Sequence, residues 1–502
     1  MERNKGCSEV PSSEGNEARR DGGQEVTEPH GTEEVGEPEP EGTRWRDGGD
    51  GNTEPLEGTM TEPLTLDDIS PRLQRVAELA REDRSRAFRS LAHHVDVAFL
   101  KEAFRRTRKD GAVGVDGQTA ADYEGNLEEN LRSLLTRCKA GTYQAPPVRR
   151  VYIPKGDGSK TRPIGIPTFE DKVLQRAVAM LLGAVYEQDF LDCSYGFRPG
   201  RSAHQALEKI WKDLMSVGGG WVVEVDIQGY FDTLGHAHLQ SLLDQRVRDG
   251  VLRRVITKWL KAGVMEDGRW FRPDSGSPQG GVISPLLANV YLHHVLDTWF
   301  QEEVMPRLRG RTSLVRFADD AVIVCEREDD AHRVMKVLPK RFGKYGLTLH
   351  PEKTRLVPFR RPEGTMPGGK SGSFDLLGFT HFWARSRKGS WVVRRKTAAG
   401  RFTRAVRAVA VWCKVHRHRP IAEQHQELAR KLKGHGAYYG ITGNASALAR
   451  FRYEVVRVWR KWLDRRSSKA CMKWDRFNRL LQRYPLPVPV AIHSICRRGA
   501  SP

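Results

Sequence analysis

Two adjacent carboxylates, Asp319-Asp320, sit between apolar runs, Leu314-Val-Arg-Phe317 before them and Ala321-Val-Ile-Val-Cys325 after. The pattern predicts a hairpin whose arms are buried and whose tip carries two acids. Charges about 4 Å apart repel by roughly 4 kcal/mol at an effective dielectric near 20, so such a tip calls for a neutralising divalent cation. Asp226 closes a separate apolar run, Trp221-Val-Val-Glu-Val-Asp226, and leads into Ile227-Gln-Gly-Tyr-Phe231-Asp232. A central sheet that set Asp226 beside the tip would gather three carboxylates, an all-oxygen donor set that suits two Mg²⁺ ions. Two such ions, roughly 3.5–4 Å apart, clamp an in-line phosphoryl transfer. One lowers the pKa of a primer 3′-hydroxyl, and the other holds the triphosphate and its leaving pyrophosphate. Taken alone, each motif reads as no more than an acidic turn or a strand-end aspartate. Two further pairs, Asp67-Asp68 and Asp329-Asp330, lie in polar surroundings that capping or solvent explains.

The elements that must position these acids alternate along the chain. Asp67-Asp68 can cap a helix in which Leu73, Val76, Leu79 and Ala80 recur at helical spacing. A second helix is expected over Val95 to Arg106, closed by the turn cluster from Gly111 to Gly117. Arg150 to Pro154 and Arg162 to Pro167, joined by Gly156-Asp-Gly-Ser, read as a β-hairpin. Helices follow at Glu170 to Tyr186, Ala203 to Leu214, most of 237–262, Ser284 to Gln301 and Asp330 to Phe342. Ser284 is expected as a helix cap and Pro285 in the first turn. A strand near Thr354 to Pro358 precedes a Gly-rich loop from Met366 to Ser373. Beyond Thr380 helices are expected near 400–415, 421–434 and 444–466, and after Tyr484 the chain is Pro-rich. Segregated strands and helices predict an α+β fold rather than a doubly wound sheet.

Charge narrows the function classes. The 502 residues carry a net +20, yet residues 1–65 hold 17 acidic and 6 basic side chains. That stretch is poor in apolar periodicity and is expected to be a disordered acidic tail. Residues 380–502 hold 29 Lys and Arg against 5 Asp and Glu, an excess that calls for a polyanionic partner, by default nucleic acid. Trp412, Tyr438, Tyr439, Phe451, Tyr453, Trp459 and Trp462 interleave with these cations. Some would pack the helices, Trp459 and Trp462 first, and others would stack on unpaired bases. No run approaches the roughly 18 apolar residues of a membrane span, and the N-terminus lacks an apolar signal core. Seven scattered cysteines form no Cys-x-x-Cys pair, and His416 and His418 lack companions, so no transition-metal site is expected. A cytoplasmic protein is the expectation.

With these residues in view, the chain resembles the group II intron reverse transcriptases, also called intron maturases. FADD (317–320) and VDIQGYFD (225–232) are similar to that family's palm signature. The resemblance extends through IPKGDGSKTRPIGIP (153–167), CSYGFRPGRSAHQAL (193–207), GSPQGGVISPLLANVYLH (276–293), HPEKT (350–354) and LLGF (376–379). GHGAYYG (434–440) and RFRYEVVRVWRKWL (450–463) resemble its thumb, or maturase, domain. The match implies a right-hand polymerase, which together with the flanking segments read from composition and periodicity divides the chain into six parts. These are a disordered tail (1–65), a helical extension (66–115), fingers (116–217), palm (218–379), thumb/maturase domain (380–466) and a basic C-terminal segment (467–502).

The resemblance also assigns residues. Asp226, Asp319 and Asp320 become the catalytic acids and, with Ile227, the metal ligands. Lys155 and Arg162 grip the incoming triphosphate. Phe231 lies beneath the nucleotide sugar, where a bulky ring collides with a 2′-hydroxyl and so selects dNTPs. Ile227, Gln279 and Gly280 complete the nucleotide pocket, with Gly280 allowing the backbone close to base or sugar. Lys353 is placed by the leaving group as a general acid. Arg198 and Arg201, with His204, contact the template backbone or orient the fingers, although a histidine by itself is more often structural.

The implied activities are cDNA synthesis from an RNA template and DNA primer, and binding of group II intron RNA to assist splicing and mobility; a homodimer is compatible with both. The chain departs from the family by lacking a His-Asn-His endonuclease pattern, by its acidic tail, and by Leu234-Gly235 where Ile-Asp is more usual. Two alternatives remain at this point: a reverse transcriptase detached from any intron, and a non-catalytic RNA chaperone.

Overall fold

The computed structural model describes residues 71–155, 160–266, 268–271, 280–362, 372–467, 469 and 471–493. The expected acidic tail, the cap at Asp67-Asp68 and the Gly156 turn lie outside the described residues, as does most of the Met366–Ser373 loop. The chain opens with helices α1 (Pro71–Glu82), α2 (Val97–Arg105), α3 (Ala120–Glu124) and α4 (Leu127–Ala140). In α1, Leu73, Val76, Ala77 and Ala80 form one buried stripe at helical spacing. The α2 start is fixed by Asp96, whose side chain accepts from the Phe99 N–H.

Strands β1 (Val148–Lys155) and β2 (Lys160–Ile166) form the expected antiparallel hairpin, with Ile153 opposite Arg162. Two short strands far along the chain, β4 (Val264–Glu266) and β5 (Arg269–Phe271), extend this sheet, β4 lying parallel to β1. The hairpin sheet therefore draws on a segment outside every strand expected from the sequence. Helix α5 (Phe169–Tyr186) is capped by Thr168 and buries 14 of its 18 residues, which makes it the hub on which α1 and α2 pack.

The central sheet has the order β6-β7-β3-β8, built from β3 (Trp221–Val225), β6 (Thr312–Phe317), β7 (Asp320–Cys325) and β8 (Arg355–Pro358). All its pairings are antiparallel. Its two faces feed different cores. Val223, Val225, Ala321, Ile323 and Cys325 join the large core with α5 and the helices α10 (Ser284–Leu292) and α11 (Glu328–Lys344). Val222, Val322 and Val324 join a second core with α6 (Ala203–Ser216). Burial on both faces is why β7 reads from Ala321 to Cys325 as an unbroken apolar run rather than as alternation. Short helices α7 (Tyr230–Thr233), α8 (His236–Leu243) and α9 (Gly250–Lys261) connect β3 to β4.

A third sheet, β11-β10-β9, packs on that second core and was not anticipated. It comprises β9 (Phe374–Leu376), β10 (Phe379–Arg385) and β11 (Trp391–Thr397). Helices α12 (Ala399–Val415), α13 (Ile421–Tyr439), α14 (Ala445–Leu463) and α15 (Trp474–Arg483) follow, with their own core around fully buried Trp459. The chain is thus a mixed α and β structure with a helical C-terminal region, as expected for α+β. The helix expected through Gln301 is regular only to Leu292 and continues as wider π-helical turns at His293–Asp297 and Phe300–Val304. Among the described residues no helix is long and apolar enough to cross a membrane.

Candidate active site

Asp226 stands one residue past the end of β3. The ladder pairs Val225 with Ala321, and one step further sets Asp226 opposite Asp320, the first residue of β7. Asp226 and Asp320 lie on the pleat face shared with Glu224 and Val322, because side chains alternate along strands. All four line one open cleft of about 310 Å³, with Glu352, Lys353, Arg355, Asp375, Leu376 and Leu377 on its other wall. Phe317 pairs with Asp320, which leaves Ala318 and half-buried Asp319 as a two-residue turn. The predicted hairpin tip therefore meets the predicted strand end.

The segment after α11 is stitched alongside Asp226. The backbone carbonyl of Asp226 accepts from the His350 N–H at 2.8 Å and from the Thr354 hydroxyl at 3.1 Å. Ile227 bridges to Leu349, and its side chain is buried, so only its backbone faces polar groups. This clamp carries Lys353 to the acid: its Nζ lies 3.1 and 3.3 Å from the two Asp226 carboxylate oxygens. The ammonium occupies the position of a cation bound to Asp226.

A divalent ion fits the donor set. Asp226 and Asp320 offer hard oxygens on one face of a solvent-open cleft, and Asp226 already takes a positive group. Among the described residues, however, no three carboxyl, imidazole or thiol groups are gathered as a ready cage.

Phe231 is half-buried at the start of α7, its ring 5.4 Å from that of Tyr230, whose hydroxyl is anchored on the Ala288 carbonyl at 2.7 Å. Gly229 takes φ +57 at the entry to this helix. Gly280 is required by its position against the hairpin. At φ +117 an added Cβ would lie 2.6 Å from the Gly165 carbonyl oxygen of β2, so the glycine seats this loop against the hairpin. Arg162 is half-buried on β2. Gln279 and the Lys155 side chain lie outside the described residues. Ser284 is the first helical residue rather than a cap, and Pro285 does occupy the first turn.

Arg198 is not available to a template. It is 4% exposed, pairs with Glu187 at 3.0 Å and donates to the Leu191 and Ser194 carbonyls at 2.7 and 2.9 Å. Its contribution is to orient the loop before α6. Arg201 is partly exposed, pairs with Asp192 and lies over the Tyr195 ring. The Nε2 of His204 meets the Tyr438 carbonyl at 2.9 Å and joins α6 to the end of α13.

Sequence reasoning passed over Glu224 and Arg355, which pair on the cleft wall, and Asp375, whose N–H donates to Glu224 at 3.1 Å. Burial raises the Glu224 pKa, and the Arg355 guanidinium opposes that shift. A glutamate inside the run Trp221-Val-Val-Glu-Val, two residues from Asp226, was the available signal, since both must share a face.

Comparison with known sequences agrees with this geometry. The profile of the reverse transcriptase (RNA-dependent DNA polymerase) family matches residues 153–381, which contain the whole cleft. The Escherichia coli K12 protein YkfC is 36% identical over 292 residues, covering 53% of this chain and 76% of YkfC. The chain belongs to the reverse transcriptase family. Within the family it is homologous to the group II intron-encoded protein LtrA of Lactococcus lactis, 34% identical over 282 residues, or 54% of this chain and 46% of LtrA. Nuclear intron maturase 2 of Arabidopsis thaliana mitochondria is 30% identical over 244 residues, 41% of this chain and 31% of the maturase. The chain thus spans about half the length of LtrA. Reverse transcriptase domains work with divalent metal ions, which agrees with the acidic cleft.

Proposed function

We propose that this reverse transcriptase copies RNA into DNA at the cleft holding Asp226 and Asp320, and that it binds group II intron RNA to assist splicing and mobility. The register of β3 against β7 carries the first claim. It sets two acids, distant in sequence, side by side at the mouth of an open cleft. Kinship with LtrA and the intron maturases, together with the basic helical C-terminal region, supports the second.

On this reading the β1-β2 hairpin belongs to the fingers (116–217), the central sheet to the palm (218–379) and α12 to α14 to the thumb (380–466), in a right-hand arrangement. Asp226, Asp319, Asp320 and the backbone of Ile227 would hold the Mg²⁺ ions, two of them on this reading. When bound, such ions activate the primer 3′-hydroxyl and bind the triphosphate. Lys353 moves from Asp226 to the β-phosphate side and donates a proton to the departing pyrophosphate. Arg162, with Lys155, holds the triphosphate, Gln279 and Gly280 border the base, and Phe231 excludes a 2′-hydroxyl. Partners are an RNA template, a DNA primer, dNTPs and intron RNA, with the cytoplasm as compartment and Arg201 as a template contact.

Primer extension with dNTPs on an RNA template, compared with the Asp319→Ala variant, tests the activity. Extension by the unsubstituted chain and none by the variant is the expected result; equal extension by both overturns the assignment. Sequencing the RNA that co-purifies tests the intron partner, and recovery without any group II intron sequence contradicts it.

A further inference from the structure

The turn that carries Asp319 and Asp320 is held from beneath by a fully buried guanidinium. Arg316, on β6, is 0% exposed, and so is its partner Asp297. Each of its five N–H groups has an acceptor. Nε and Nη2 reach the two Asp297 oxygens at 2.7 and 2.6 Å. Nη2 also reaches the Ser194 hydroxyl at 2.8 Å. Nη1 is shared between the Asn289 side-chain oxygen and the Ala318 carbonyl, each at 2.9 Å.

The last bond matters for the site. The Ala318 carbonyl belongs to the peptide unit that leads into Asp319, so fixing it fixes the direction from which Asp319 departs. Ala318 is also one of three non-glycine residues described with positive φ, at +56, a conformation that persists only where surroundings enforce it. The enforcement comes from both sides. Above, Gly196 packs so closely that an added Cβ would lie 2.3 Å from the Ala318 nitrogen. Below, Asn289 ties the Gly196 carbonyl to the same guanidinium, donating at 2.8 Å. The Arg316 backbone is itself pinned, accepting from the Tyr195 N–H and donating to the Cys193 carbonyl, both at 2.8 Å. Asp297 ends the π-helical turn His293–Asp297, a local widening that often marks functional positions.

We infer that Arg316, backed by Asp297 and Asn289, is a positioning residue that sets the Ala318–Asp319 peptide and thereby the spacing of the acids toward the cation. It touches neither nucleotide nor ion; it acts through Ala318. This rests on the reading of the turn as the polymerase centre. A lysine cannot replace the guanidinium, because three donors at one point cannot span Asp297, Asn289 and Ala318 together.

The test is Mn²⁺ affinity of the full chain, read from the paramagnetic signal of the free ion, alongside single-nucleotide incorporation. Arg316→Lys is expected to weaken Mn²⁺ binding at least about tenfold, the scale of loss when a ligand's support is removed. Ser194→Ala removes another acceptor of the same guanidinium on the side away from the turn, and should stay within about twofold. The double variant Arg316→Lys, Ala318→Gly should recover part of the loss, since glycine accepts positive φ without support. If Arg316→Lys does not fold, Gly196→Ala decides, because it presses on the same turn with the ion pair intact and should weaken Mn²⁺ equally. Wild-type affinity in a folded Arg316→Lys or Gly196→Ala protein overturns the inference, as does equal weakening by Ser194→Ala. Asp226→Asn and Asp319→Ala serve as references. If they too leave Mn²⁺ binding and incorporation unchanged, the site assignment fails rather than the role of Arg316.

Discussion

The ammonium of Lys353 bridges both carboxylate oxygens of Asp226, at 3.1 and 3.3 Å, although 127 positions separate the two residues. The contact joins the residue proposed as proton donor to the residue proposed as cation ligand, so binding a cation at Asp226 must release Lys353. Replacing Lys353 by Met should therefore tighten Mn²⁺ binding while slowing nucleotide addition by about 10²-fold, the usual loss for a general acid. Rapid-quench single-turnover kinetics and Mn²⁺ titration measure the two effects. A slower reaction together with weaker Mn²⁺ binding would contradict the displacement.

Phe231 governs sugar choice on this account. Phe231→Ala should raise incorporation of ribonucleotides relative to deoxyribonucleotides by at least about tenfold, a discrimination that one steric contact readily supplies. Competition between matched dNTP and NTP in primer extension reads the ratio directly. An unchanged ratio would return Phe231 to the core, where its neighbour Tyr230 already sits.

Where the sequence was legible, one physical signal dominated. β7 stood out because both of its faces are buried, which leaves an unbroken apolar run after the paired acids. β10 and β11 were hidden because their inward positions include His381, Arg395 and Thr397, all buried, which breaks the apolar alternation. The same stretch is rich in cations and read as part of a helical basic region. Arg198 misled for the converse reason: a basic Arg-Pro-Gly-Arg context looks solvent-facing, yet carbonyls from its own loop and Glu187 enclose the guanidinium. The aspartates were found because carboxylates flanked by apolar strands are costly without a purpose. That Asp226 and Asp320 share one cleft came only from the strand register.

Asp171, at the start of α5, gives a pH signature separate from catalysis. Burial drives its carboxyl pKa up to about 7; the Tyr143 hydroxyl bond and Arg137 oppose the rise, while Glu170 and Asp116 add to it. The folded state then keeps a proton that the unfolded chain loses near its ordinary value of 3.8. Stability from this group is full below that value and declines as pH rises toward 7, by on the order of a few kcal/mol. Thermal unfolding from pH 4 to pH 8 should show this decline, and Asp171→Asn should flatten it. A wild-type melting temperature that climbs through the window, or no difference between the two proteins, contradicts the assignment.

RNA affinity and polymerisation should separate. Lys155→Ala with Arg162→Ala should abolish extension yet leave intron RNA binding intact, because the basic excess lies in residues 380–502. Binding should also fall by at least about 10²-fold between 50 and 200 mM salt, as counterion release at several phosphates requires. Filter binding across a salt series checks both. A flat salt response would remove the C-terminal helices as the RNA platform.

The most direct measurement concerns the meeting of the acids around a cation. With Fe²⁺ supplied in place of Mg²⁺, ascorbate and peroxide generate hydroxyl radicals that cut the backbone next to the bound ion. Cuts are predicted in two segments at once, around residue 226 and around residues 319–320, and both should vanish in Asp226→Asn. Cleavage confined to one segment, or indifferent to that substitution, would contradict a shared cation site and the polymerase assignment built on it.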